Sequence, residues 1–196
     1  MSLSLVRRTL FLAVITAVTW TAVSVTSLIE RESKAYIDAM VLVPFALTAL
    51  SFVGLHLLQR HALGRFGRVS FGIAAAAMVS LLISQSTIVA GSERLLWLGF
   101  PVGALAWLVG FALYGYATAK AGVLPPLIGI GLAVAEPVTI ALGVALSPIA
   151  PLSDSGNFSG AIGHAVIWFG IAWLLAGLAS RTDPEAARPE PSLAAD

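Results

Sequence analysis

The stretch Leu124–Leu146, with the sequence LPPLIGIGLAVAEPVTIALGVAL, is long enough and apolar enough to cross a membrane as one helix. Crossing the hydrocarbon layer takes about 20 mostly apolar residues. Lipid offers the backbone no hydrogen-bond partners, and the run lacks the alternation of a barrel strand, so it predicts a helix. Its one ionisable residue is Glu136, near its middle. This segment therefore indicates a helical membrane protein with an acid inside the membrane.

Five further apolar runs surround this segment, and the composition agrees with them. The chain is 58% hydrophobic and 11% charged, whereas soluble domains carry roughly 25% charged residues. The sequence predicts an all-α transmembrane domain over residues 1–180, and a tail over 181–196 whose Pro-rich, polar composition predicts disorder. The first run is longer than the apolar core of a signal peptide, so we expect it to be retained. The predicted spans are Thr9–Ile29, Tyr36–Leu58, Val69–Ala90, Leu95–Thr118, Leu124–Leu146 and Phe158–Ser180.

The distribution of Lys and Arg predicts the orientation of the bundle. Eight of the eleven basic residues lie in the N-terminus, the second and fourth connections and the tail, and the other three lie in the connections on the opposite side. Short cytoplasmic loops carry the excess of positive charge. We therefore expect a multi-pass membrane protein with both termini in the cytoplasm.

Composition also argues against several kinds of site. The net charge of +1 offers no basic surface for nucleic acid. There is no cysteine for a disulfide, a thiolate metal site or a nucleophile, and the three histidines form no set of metal ligands, because His164 lies far along the chain from His56 and His61. No motif indicates a cofactor, so none is predicted.

Glu136 is the residue at which chemistry is expected. It lies 12 residues beyond Leu124, which is roughly 18 Å into the span at 1.5 Å per residue, near the middle of the bilayer. A carboxylate there is costly, so we expect it to face the bundle interior in its neutral form. Pro137 frees the carbonyl of Ala133, which suggests a binding point beside the acid. Alternatively, the acid is a structural residue that bonds a Ser or Thr of a neighbouring helix.

Other polar residues cluster in the half of the bundle that the orientation places outward. Asp38 lies at the outer end of the second span, Gln85 in the outer part of the third, and His164 about two turns into the sixth. Together they predict a partly hydrated cavity with Glu136 at its floor. Aromatic walls are expected from Trp20, Trp107 and Trp168.

Small residues form a stripe along each of two spans. Such stripes let helices approach closely, and we expect them to pack inside the chain, with a homodimer face as the alternative. They are Gly99, Gly103, Ala106 and Gly110 in the fourth span, and Gly163, Gly170 and Gly177 in the sixth.

A set of connection motifs carries a resemblance. The motifs are Asp38, the Val43-Pro44 pair, the run LHLLQR at 55–60, the basic turn GRFGR at 64–68, and the segment Gly115-Tyr116-Ala117-Thr118, which leads to Val123-Leu124-Pro125-Pro126. In these features the chain resembles a widespread class of small six-helix bacterial membrane proteins of unknown function. The resemblance implies the fold and an inner-membrane location, and it carries no catalytic residue over.

Three functions are compatible with this pattern. The first is a non-enzymatic binding or accessory protein for a lipophilic ligand or a membrane partner. The second is an enzyme on an isoprenoid-like substrate, in which Glu136 is the general acid as in integral-membrane terpene cyclases. The third is proton-coupled transport, for which six helices with one deep acid and no convincing inverted repeat offer little support.

Overall fold

The computed structural model describes residues 2–29, 34–146 and 156–182. Within these residues there are six helices long and apolar enough to cross a membrane, and there is no strand. The predicted all-α, six-helix fold is confirmed. Of the tail predicted at 181–196, residues 181 and 182 belong to the last helix and the rest lies outside the described residues. The helices are α1 (Leu3–Ile29), α2 (Lys34–Gln59), α3 (Arg65–Val89), α4 (Ala104–Ala121), α5 (Pro126–Leu146) and α6 (Gly156–Thr182).

The helices form a closed ring. Each packs mainly against its neighbours in sequence, and the contact between α1 and α6 is extensive and closes the circle. Short connections make neighbouring helices antiparallel, so the start of α1 and the end of α6 lie at one end of the bundle. We call this the terminal end, and the other the opposite end. The interior of the ring is where a site can be built from all six helices.

The fourth predicted span is not a single regular helix. Residues Leu98–Gly103 form a π-helical turn, and α4 begins at Ala104. Pro101 lies inside this turn and has no N–H to donate, which favours a shift of the hydrogen-bond ladder. At its other end α4 runs past the predicted Thr118 to Ala121, and Gly122 ends it in the left-handed conformation with φ of 67°.

A close crossing of α4 and α5 positions the interior acid. A Cβ atom on Gly115 would collide with the backbone of α5, and one on Gly129 would collide with the backbone of α4. The two helices therefore approach as closely as only glycine allows. Two turns from the crossing towards the opposite end, α4 carries Trp107 and α5 carries Glu136, and the crossing brings these side chains face to face.

The predicted glycine stripes have different outcomes. In the fourth span, Gly99, Gly103 and Gly110 pack against α3, so intramolecular packing of that stripe is confirmed. In α6, a Cβ on Gly163 would meet Thr139 of α5, whereas nothing lies within 4 Å of one on Gly170 or Gly177. The expectation that the whole α6 stripe packs inside the chain is therefore wrong. A seven-residue step turns a helix by only about 20°, so the three glycines share nearly one face, which is packed at Gly163 and exposed at Gly170 and Gly177.

Candidate functional site

Glu136 lies on the inward side of α5, about half-way along the helix. Its side chain is 17% exposed, while the neighbouring Pro137 is exposed on the outer side. The acid is thus directed into the ring, the arrangement that the cost of a carboxyl in lipid favours.

Two side chains contact one oxygen of this acid. The indole N–H of Trp107 donates a hydrogen bond to Glu136 Oε1. The Nε2 atom of His164, on α6, lies 3.0 Å from the same oxygen. Both partners are buried. The structural alternative in the sequence analysis was a Ser or Thr partner on a neighbouring helix, and instead the acid meets an indole and an imidazole.

The chemical roles of these contacts differ. An indole N–H can only donate, so Glu136 Oε1 must be the acceptor in its hydrogen bond with Trp107. An imidazole nitrogen can donate or accept, so His164 can give a proton to the acid or take one from it. The contact therefore forms a pair that can hold and move one proton inside the membrane.

Aromatic rings hold the pair in place. Trp20 stacks on the His164 ring, with centroids 4.9 Å apart and planes 24° apart. Its own N–H donates to Thr48 Oγ1 at 3.0 Å, which fixes the indole between α1 and α2. Phe45 makes edge-to-face ring contacts with Trp20 and with Trp107, at centroid distances of 5.2 Å and 5.6 Å. Phe45 was not among the predicted site residues, because an apolar side chain in an apolar helix gives no signal that it faces inward.

A cavity of about 290 Å³ adjoins the pair, and we call it the polar cavity. Trp20 and Phe45 contribute its aromatic walls. Asp38 and Gln85 lie towards its opposite-end side, where Gln85 Nε2 donates to the backbone oxygen of Asp38 at 3.1 Å and lies 3.5 Å from Oδ1. Its polar lining consists of Asp38, Gln85, Glu136, Thr139 and His164.

A second cavity of about 180 Å³ lies on the α3–α4 side, and we call it the side cavity. Three of its lining residues do not line the polar cavity, namely Leu81, Ala104 and Trp107. The other three line both cavities and are Phe45, Glu136 and His164. No Lys or Arg lines either space. Phe45, Glu136 and His164 thus border two spaces that differ in polarity.

An aromatic layer closes the interior towards the terminal end. Trp107 stacks on Phe111 at 4.5 Å, Phe111 on Phe52 at 4.8 Å, and Phe52 on Phe71 at 5.3 Å. Beyond the layer, Gln59 donates to the Tyr114 hydroxyl at 3.0 Å and to Thr118 Oγ1 at 2.8 Å. The cavities are therefore separated by packed rings from the polar groups at the terminal end.

The structure brings most of the predicted pocket residues together. Trp20, Asp38, Gln85, Glu136 and His164 line the polar cavity, and Trp107 lines the side cavity. Trp168 is fully buried one turn from His164, but it lines neither space. The described residues contain no cluster of three or more His, Asp or Glu that could hold a metal ion.

Comparison with known proteins adds no relative. No family model, no curated protein and no solved structure matches this chain.

Proposed function

We propose that this protein binds a small lipophilic molecule that carries a polar group, with the polar group at Glu136 and His164. The observation that carries the proposal is the contact between this pair and a cavity inside a ring of membrane-spanning helices. An acid and an imidazole that line a cavity inside the ring offer a ligand hydrogen bonds that lipid cannot offer.

The lining of the polar cavity supports this choice. Ligand sites combine apolar and aromatic walls with a few polar groups that fix orientation, and most have volumes of about 300 to 1,000 Å³. The polar cavity lies at the lower limit of that range and has this mixture of walls. A small molecule fits it better than a protein segment does, so we prefer a ligand to a membrane-protein partner or a homodimer.

We place the protein in the bacterial inner membrane with both termini in the cytoplasm. Support comes from the eight-to-three asymmetry of basic residues in the sequence. In that orientation, Asp38 and Gln85 lie on the periplasmic side of the polar cavity. The ligand then enters from the periplasm or from the outer leaflet, and the aromatic layer separates it from the cytoplasm.

Mass spectrometry of co-purifying lipids tests the proposal. The parent protein and two variants are purified from native membranes in mild detergent, and their organic extracts are compared. His164→Phe keeps a ring to stack on Trp20 and removes the polar contact to Glu136. His61→Phe makes the same change at an exposed histidine of the α2–α3 connection. We expect a lipophile with the parent and with His61→Phe that is lost from His164→Phe, and equal extracts from all three would contradict the proposal.

A second candidate is an enzyme on an isoprenoid-like alkene or epoxide. The contact between Glu136 and His164 favours it, because it holds the carboxyl group beside the cavity, where an acid could deliver a proton to a substrate. The acid would protonate the substrate, Trp20 and Trp107 would stabilise the cation, and loss of a proton from the product back to the carboxylate would regenerate the acid. Glu136→Gln distinguishes the two functions. A bound molecule that is chemically the same in parent and variant indicates binding, and an unreacted precursor in the variant indicates catalysis.

A further inference from the structure

Phe45 occupies a special place in the interior, because its ring forms part of the wall of both cavities. Trp20 and Trp107 both contact it, with ring centroids 5.2 Å and 5.6 Å away. Such edge-to-face contacts with two buried indoles hold a ring firmly. The side chain is therefore a fixed partition and not a loose gap-filler.

The two spaces on either side of this partition differ in polarity. The polar cavity adds Asp38, Gln85 and Thr139 to the shared acid and histidine. The residues that line the side cavity alone are Leu81, Ala104 and Trp107, which face it with hydrocarbon and an aromatic ring. A molecule anchored by its polar group in the polar cavity would place a longer hydrocarbon chain in the side cavity if Phe45 did not stand between them.

We infer that Phe45 sets the upper limit on the length of ligand chain that is held inside the bundle. The inference rests on the proposed function. At about 30 Å³ for each water-sized group, the polar cavity of about 290 Å³ holds about ten non-hydrogen atoms. The part of the ligand inside the cavity is then as large as a short amphiphile such as a ten-carbon isoprenoid alcohol, and the rest of a longer chain would leave through the open side of the cavity.

Removal of the ring should change this limit in a predictable direction. The side cavity of about 180 Å³ holds about six more carbon-sized groups on the same scale. Phe45→Ala joins the two spaces, so the longest accepted chain should grow by at least about six carbons. Phe45→Leu removes less of the side chain and should give a smaller increase in the same direction, which keeps the test available if the alanine variant does not fold.

Ala104 provides the control, because it lines only the side cavity. Ala104→Leu fills part of that space. If Phe45 sets the limit, Ala104→Leu alone leaves the longest bound chain unchanged, since the ligand does not reach the side cavity while Phe45 is present. In the double variant with Phe45→Ala, the longest bound chain should be clearly shorter than in Phe45→Ala alone.

Quenching of tryptophan fluorescence measures the limit directly. The probes are linear ω-bromo-1-alkanols of 6 to about 18 carbons, added to protein in phospholipid nanodiscs at equal membrane mole fractions. All proteins carry Phe in place of Trp97, Trp168 and Trp173, so that the signal comes from Trp20 and Trp107 at the cavities. A bromine atom quenches an indole only when it is close, and saturable quenching distinguishes a site from partition into lipid.

The possible results test the limit set by Phe45 separately from the proposed ligand binding. We expect saturable quenching in the parent that is lost above about ten non-hydrogen atoms, and a limit at least six carbons longer in Phe45→Ala. The same limit in parent, Phe45→Ala and Phe45→Leu overturns the inference and leaves ligand binding intact. A shorter limit in Ala104→Leu alone also overturns it, because the side cavity would then already be occupied. The absence of saturable quenching in every protein and at every length overturns the proposed function itself.

Discussion

Replacement of Glu136 by Leu should destabilise the bundle, whereas replacement by Gln should not. The acid satisfies two buried groups, the indole N–H of Trp107 and Nε2 of His164. Leucine has nearly the same size but accepts no hydrogen bond, so both groups lose their partner. A glutamine oxygen in the place of Glu136 Oε1 can still accept from the Trp107 indole and from an N–H at His164 Nε2.

The expected loss of stability is estimated from two kinds of measurement, one on soluble proteins and one on membrane proteins. A buried polar group that loses its partner costs about 1 to 3 kcal/mol in soluble proteins. In membranes, measured hydrogen-bond contributions average about 0.6 kcal/mol and reach about 1.7, because the separated helices find other partners. For two groups we therefore expect Glu136→Leu to lower the free energy of unfolding by about 1 to 3 kcal/mol, and Glu136→Gln by less than about 1 kcal/mol.

Reversible unfolding in mixed micelles, followed by circular dichroism, measures these differences. Glu93→Leu serves as the matched control, because Glu93 is exposed in the connection before α4 and the change should leave stability unaltered. If Glu136→Leu is as stable as Glu136→Gln, the buried contacts at Oε1 contribute nothing to the fold and our account of the site is refuted.

Two further predictions concern packing and orientation. Gly110→Leu should cost about 1 to 3 kcal/mol, because a Cβ there would lie 2.7 Å from the α3 backbone, whereas Gly170→Leu has open space and should melt like the parent; equal melting of both would show that α3 and α4 are not in close contact. The parent has no cysteine, so a membrane-impermeant thiol reagent on intact cells should label Glu93→Cys and leave His61→Cys unlabelled, and the reverse pattern would invert the topology.

Much of the architecture could be predicted from residue types in sequence order. The number of helices follows from the length and hydropathy of each run, and both are local properties that no tertiary contact has to supply. The inward direction of Glu136 follows from the cost of an acid in lipid. Asp38, Gln85 and His164 could be assigned to one half of the bundle because their depth in each span can be counted along the chain.

The partners of those residues could not be predicted in the same way. A membrane helix is apolar on its lipid side and on its inner side, so hydropathy does not tell which apolar residues face inward. Phe45 was missed for this reason, and Gly170 was wrongly expected to pack. The π-helical turn before α4 also has no local signal beyond Pro101, since a proline is compatible with an ordinary first helical turn.

What the sequence by itself determined is therefore a set of six helices and the depth of each polar group along them. Only the tertiary structure decided that Trp107 and His164 meet Glu136 and that Phe45 divides the interior into two spaces. The physical reason is that depth depends on one chain segment, whereas rotation and register depend on how two helices pack. The close crossing at Gly115 and Gly129 shows this, because neither glycine indicates without the other where α4 and α5 will touch.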